Sequence, residues 1–105
     1  MSDPTLVRRG GEWLSVAREF VGAPETHTYW RGMDLVAIAA AASRRGPLPV
    51  LRDEEPRIAA LVMCVGGVSG PETARRLGTY ERKVTRWRLD AGLSEPRAEE
   101  GAVDA

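Results

Sequence analysis

Apolar residues recur at intervals of three and four along most of the chain, the period of helices with one buried face. No stretch of convincing length alternates as a half-buried strand does. From Gly11 onward, Trp13, Leu14, Val16, Ala17, Phe20 and Val21 form one face, with Arg18 and Glu19 outside it, which predicts a helix of about three turns. Gly22-Ala23-Pro24 ends it, because proline cannot continue the hydrogen-bond ladder. Residues 28–45 are apolar nearly all round, with Tyr29, Trp30, Met33, Val36, Ala37 and Ala40 on one side and Leu35, Ile38, Ala39 and Ala42 on another. That pattern predicts a second, central helix. Gly46-Pro47-Leu48-Pro49 stops it and marks the boundary between two halves of the chain.

In the second half, Asp53 or Glu54 is placed to cap a third helix, with Pro56 in its first turn and Ile58, Leu61, Val62 and Val65 as its buried face. Gly66-Gly67 ends this helix. Ser69-Gly70-Pro71-Glu72 is a Ser-x-x-Glu capping box, and the helix it opens runs through Thr73, Ala74 and Leu77 to Gly78. A fifth helix from about residue 81 to residue 89 sets Val84 and Trp87 on its inner side, and Gly92 closes it. The expected fold is all-α, with about five helices and no sheet. A loose start covers residues 1–10, an N-terminal helical part residues 11–52, a three-helix unit without a wing residues 53–93, and a disordered acidic tail residues 94–105.

Composition narrows the possible chemistry. A chain of 105 residues with 43% hydrophobic content suits one small domain and leaves little room for a deep cleft between lobes, so no enzyme is expected. Cys64 is the only cysteine and His27 the only histidine, so neither an internal disulfide nor a zinc site of Cys and His can be assembled, and no metal or cofactor is expected. Cys64 reads as a small buried hydrophobe and His27 as a loop residue. The apolar run over residues 35–42 falls well short of a membrane span, and the first residues lack the basic-then-apolar order of a signal peptide. These features lead to the expectation of a cytoplasmic protein with no membrane partner. The net charge of zero conceals an uneven distribution. Residues 70–89 hold six basic and two acidic side chains, whereas residues 90–105 hold one basic and five acidic. An anionic partner would meet the basic stripe, not the overall sum.

The spacing within residues 69–89 has a mechanical reading. Two short helices that cross steeply after a three-residue turn need a small side chain at the crossing, supplied by Ala74, and a residue tolerant of positive φ at the turn, supplied by Gly78. Leu77, Val84 and Trp87 then fill the wedge against the preceding helix. The result is a helix-turn-helix.

The run Arg57-Ile58-Ala59-Ala60-Leu61, then Val68-Ser69 with Glu72-Thr73-Ala74-Arg75-Arg76-Leu77-Gly78, then Val84-Thr85-Arg86-Trp87, resembles the three-helix DNA-binding unit of bacterial transposases, small helix-turn-helix regulators and the promoter-reading region of sigma factors. The resemblance covers residues 54–93. It departs from the usual pattern in the turn, where Thr79 replaces an aliphatic residue and Tyr80 a Ser or Thr cap, which makes Thr79 a candidate cap one residue early. The resemblance implies that the fifth helix enters the major groove of double-stranded DNA. Tyr80, Glu81, Arg82, Thr85 and Arg86 are then the base-reading residues: Arg82 and Arg86 suit guanine, Glu81 cytosine N4 and Thr85 a thymine methyl. Arg75, Arg76, Lys83 and Arg88 are the expected phosphate contacts.

The implied function is sequence-specific DNA binding by a small transcriptional regulator of a bacterium, phage or mobile element, associated with the nucleoid. Two other readings are open at this level. One is a DNA-recognition subunit of a larger machine, such as a small terminase or a transposition accessory protein. The other is a module that docks on RNA polymerase or another regulator. The acidic tail suits either a basic partner or masking of the Arg-rich face. Trp13, Phe20, Tyr29 and Trp30 serve equally well as a core over the second helix or as part of a homodimer face, and Arg8-Arg9 is a candidate minor-groove arm.

Overall fold

Five helices and one short hairpin make up the structure, a computed structural model that describes residues 10–96. In chain order they are α1 (Gly10–Val21), β1 (Tyr29–Trp30), β2 (Met33–Asp34), α2 (Leu35–Ser43), α3 (Glu55–Val65), α4 (Gly70–Leu77) and α5 (Glu81–Asp90). The fold is all-α, as the apolar periodicity predicts. Arg8-Arg9, with the rest of residues 1–9, and the acidic residues 97–105 lie outside the described residues.

The expected single helix over residues 28–45 is instead a hairpin followed by a nine-residue helix. Tyr29 pairs with Asp34 and Trp30 with Met33, and the two residues between the strands, Arg31 and Gly32, both have positive φ (51° and 81°). A two-residue hairpin turn of this kind matches the twist of its strands. Asp34 then starts α2: its carboxylate Oδ1 accepts from the amides of Val36 (3.0 Å) and Ala37 (3.2 Å), while the Tyr29 hydroxyl donates to Oδ2. A local cap at Asp34 thus outweighs the helical apolar spacing upstream of it.

The start of α3 also differs from expectation. Asp53 has a positive φ of 51° and Glu54, the N-cap residue, makes no side-chain cap bond. Glu55 takes that part: its buried carboxylate accepts from the amides of Arg52 (2.8 Å) and Asp34 (2.7 Å), tying the start of α3 to the end of the hairpin. Pro56 sits in the first turn as predicted.

The central helix is α3, not α2. All its residues from Ile58 to Cys64 are buried, whereas Val36 of α2 is half exposed, and Val65, expected in the core, is also exposed. Ile58, Ala59, Leu61, Val62 and Met63 join Trp13 and Ala17 of α1 and Leu35, Ile38, Ala39, Ala41 and Ala42 of α2 in the main core. Ala60 turns to a second cluster with Ala74 of α4 and Val84 of α5, and Leu77 and Trp87 pack against both clusters. Of the four N-terminal aromatics, Trp13 is fully buried, Phe20 and Trp30 are partly buried against the core, and Tyr29 is exposed.

Candidate nucleic-acid interface

The candidate surface is set up by the turn between α4 and α5. Ser69 accepts the amide of Glu72 at its Oγ (3.3 Å), so the capping signal opens α4 as expected. The Glu72 carboxylate pairs with Arg75 (3.0 Å). At the other end Gly78 takes the left-handed conformation (φ 69°), and the amides of Gly78 and Thr79 donate back to Arg75 and Ala74 carbonyls. An L-residue with a Cβ is strained at this φ, which explains the glycine. Tyr80, extended and without a side-chain cap bond, is the N-cap of α5, so the helix begins one residue later than capping by Thr79 would place it.

Along α5 the side chains sort into rows. Val84 and Arg88, four residues apart, are fully buried. Arg82 and Arg86, also four apart, are exposed and stand on the opposite side, and no ion pair joins either of them to the described residues. Leu89, three residues beyond Arg86, continues this outer row with 67% of its surface open. Tyr80, Lys83 and Trp87 occupy one flank. The Lys83 ammonium lies over the Trp87 ring, 5.3 Å from its centroid, a cation–π contact that orients an otherwise flexible side chain. Together with Arg82 and Arg86 these flank residues line a concavity of about 620 Å³. Thr85 is half-buried and Glu81 exposed at the start of the helix.

Two of the expected phosphate contacts have other work inside the molecule. Arg88 is fully buried. Its Nε and Nη2 donate to the Ala60 carbonyl of α3 (3.2 and 3.0 Å), Nη2 also donates to Thr73 Oγ1 of α4 (2.8 Å), and Nη1 pairs with Glu95 (2.9 Å). It therefore cannot reach a phosphate, and the reason is its position one turn after Val84 on the inner face. Arg76 donates to the carbonyls of Ala40 (3.1 Å), Ala41 (3.0 Å) and Gly46 (3.0 Å), closing the C-terminal end of α2 with a cation where the helix dipole favours one. Arg75 is exposed but held by Glu72, and Lys83 is exposed.

Residues 94–96, expected to belong to a disordered tail, are folded back on the three-helix unit. Gly92 reverses the chain with positive φ (78°), the Leu93 amide donates to the Arg88 carbonyl (2.8 Å), and the Cys64 thiol donates to the Ser94 carbonyl (3.2 Å). Glu95 then reaches Arg88 beside Gly70, where an added Cβ would lie 3.0 Å from the Glu95 carboxylate. Burial pushes the Cys64 thiol up from its ordinary pKa, against the opposing pull of Arg88. His27 is exposed, its ring edge-on to Trp30 at 5.5 Å.

The sequence reading missed Leu89 as part of the outer face and the inward course of Arg88. Both follow from the helical repeat: Leu89 is seven residues after Arg82, and Arg88 four after Val84. Among the described residues no group of His, Cys, Asp and Glu is placed to hold a metal ion, and no helix is long and apolar enough to cross a membrane. No protein-family model matches the chain, and no curated protein or solved structure is detectably similar to it.

Proposed function

We propose that this chain binds double-stranded DNA sequence-specifically, with α5 in the major groove, and acts by binding rather than by chemistry. The observation that carries the reading is the outer row of α5: Arg82 and Arg86 stand exposed and side by side, while Val84 and the hydrogen-bonded Arg88 fix the helix from behind. A rigid helix with two outward guanidinium forks can present paired donors to guanine O6 and N7 at two base pairs. A helix held by its own core loses little freedom on docking, so its contacts are available as net affinity.

The remaining roles follow from the rows. Glu81 and Thr85 lie on the flank away from Trp87 and suit cytosine N4 and a base-edge contact respectively. Tyr80 shares the concavity with Lys83 and Trp87, and its hydroxyl, like the Lys83 ammonium, suits the phosphate strand that borders the groove. Arg75 is the remaining candidate for a phosphate on the α4 side. A small transcriptional regulator acting on the nucleoid of a bacterium, or carried by a phage or mobile element, is the role this surface fits best.

The test is a mobility-shift series on a duplex enriched from a random pool. Arg82→Ala and Arg86→Ala each lose about 1–3 kcal/mol of affinity and relax base preference at one position. Unchanged affinity and preference in both variants would overturn these assignments.

A further inference from the structure

Leu89 is an apolar side chain on a face that otherwise carries charge. It is two-thirds exposed although the chain has apolar cover at hand, because the reversal at Gly92 brings Leu93, not Leu89, against the core. Its position continues the line of Arg82 and Arg86 at the helical spacing i, i+4, i+7. At about 1.5 Å of rise per residue the row is roughly 10 Å long. That length matches about three base-pair steps of roughly 3.4 Å each. The major groove offers one apolar group on its base edges, the C5-methyl of thymine.

We infer that Leu89 is a specificity-determining residue that reads a thymine methyl at the end of the base pairs addressed by Arg82 and Arg86. This rests on the DNA-binding reading above and adds to it the identity of a base. The arginine forks have hydrogen-bonding partners only where acceptors face the groove. The isobutyl group of Leu89 has none to offer, and it gains from water exclusion only against a methyl. A cytosine at that position places an amino group against it, and a guanine or adenine places ring and exocyclic polar atoms there, each of which loses hydration without a partner.

The probe is the duplex that the full-length chain enriches from a randomised pool, remade with each thymine replaced in turn by deoxyuridine, which deletes the methyl and nothing else. At one position the replacement weakens wild-type binding about three- to fivefold, the worth of one buried methyl. Leu89→Ala binds the thymine and deoxyuridine duplexes equally at that position, and it unfolds at the wild-type temperature because the side chain it removes is largely exposed. An enriched duplex without thymine, wild-type indifference to every replacement, or equal sensitivity in Leu89→Ala overturns this inference and leaves DNA binding standing. Failure to enrich any duplex overturns both. Loss of a protein partner by Leu89→Ala, with unchanged discrimination between thymine and deoxyuridine, assigns the side chain to docking instead and also overturns the inference.

Discussion

Arg82, Arg86 and Arg88 lie within seven residues of one helix, yet position decides whether the same guanidinium is a surface contact or a keystone. A buried cation costs several kcal/mol unless its donors are satisfied. Arg88 meets that condition with partners from three places in the chain: the Ala60 carbonyl, Thr73 Oγ1 and Glu95. Removing Glu95 strands the charge, since the other two partners are neutral. Glu95→Ala is therefore expected to cost about 3 kcal/mol in urea-induced unfolding, more than a half-exposed carboxylate normally contributes. Adding Arg88→Met to Glu95→Ala removes the stranded cation and recovers part of the loss. A double variant no more stable than Glu95→Ala alone would show that Arg88 contributes through its neutral hydrogen bonds and not through charge balance.

At the scale of elements, the fold depends on how helix ends are closed, and this determines what could be read beforehand. The α4–α5 turn was legible because its determinants are local: Ser69 caps the helix three residues on, and Gly78 takes a conformation that other residues resist. The hairpin was not legible. Arg31 is a non-glycine residue at positive φ, where Asn or Asp would have signalled the turn, and the aromatic pair Tyr29 and Trp30 fits the helical apolar spacing equally well. The central place of α3 escaped notice for another reason. Ala59, Ala60 and Cys64 are small enough to read as spacers, and only the tertiary arrangement shows that α1 and α2 pack on one side of α3 and α4 and α5 on another. Arg76 belongs to this class of long-range closure, reaching carbonyls of Ala40, Ala41 and Gly46 thirty or more residues upstream. Arg76→Ala should cost about 2 kcal/mol of stability, the range for hydrogen bonds to a charged group, and leave the salt dependence of the proposed DNA binding unchanged. A shallower salt dependence with intact stability would return Arg76 to the phosphate contacts.

For the molecule as a whole, the fold redistributes the charge that the sequence counts. The basic stripe of residues 70–89 loses Arg88 to the interior and Arg76 to the carbonyls at the end of α2, and Arg75 is tied to Glu72, so the open cations of that stretch gather on α5 as Arg82, Lys83 and Arg86. On the proposed DNA-binding reading, two to four phosphate contacts remain to be made, so the slope of log affinity against log salt should be about −2 to −4, and Lys83→Ala should reduce its magnitude by about one. Fluorescence anisotropy across a salt series measures both. Ser94 and Glu95 lie against Cys64 of α3 and the buried Arg88, on the inner side of α5 and away from Arg82 and Arg86. A truncation meant to test masking must therefore spare them. Cutting after residue 93 removes the partner of Arg88, and the unfolding temperature should fall by about 4–8 °C for each kcal/mol lost. Cutting after residue 96 keeps the Arg88–Glu95 pair and removes three acidic side chains, Glu99, Glu100 and Asp104, together with Arg97. If those carboxylates compete with DNA for α5, the cut after residue 96 tightens binding at low salt and the gain disappears as salt rises, because screening removes the competition along with the attraction. Equal affinity of this truncation and the full chain at low salt would dismiss masking, with the native pairing of Arg88 intact in both.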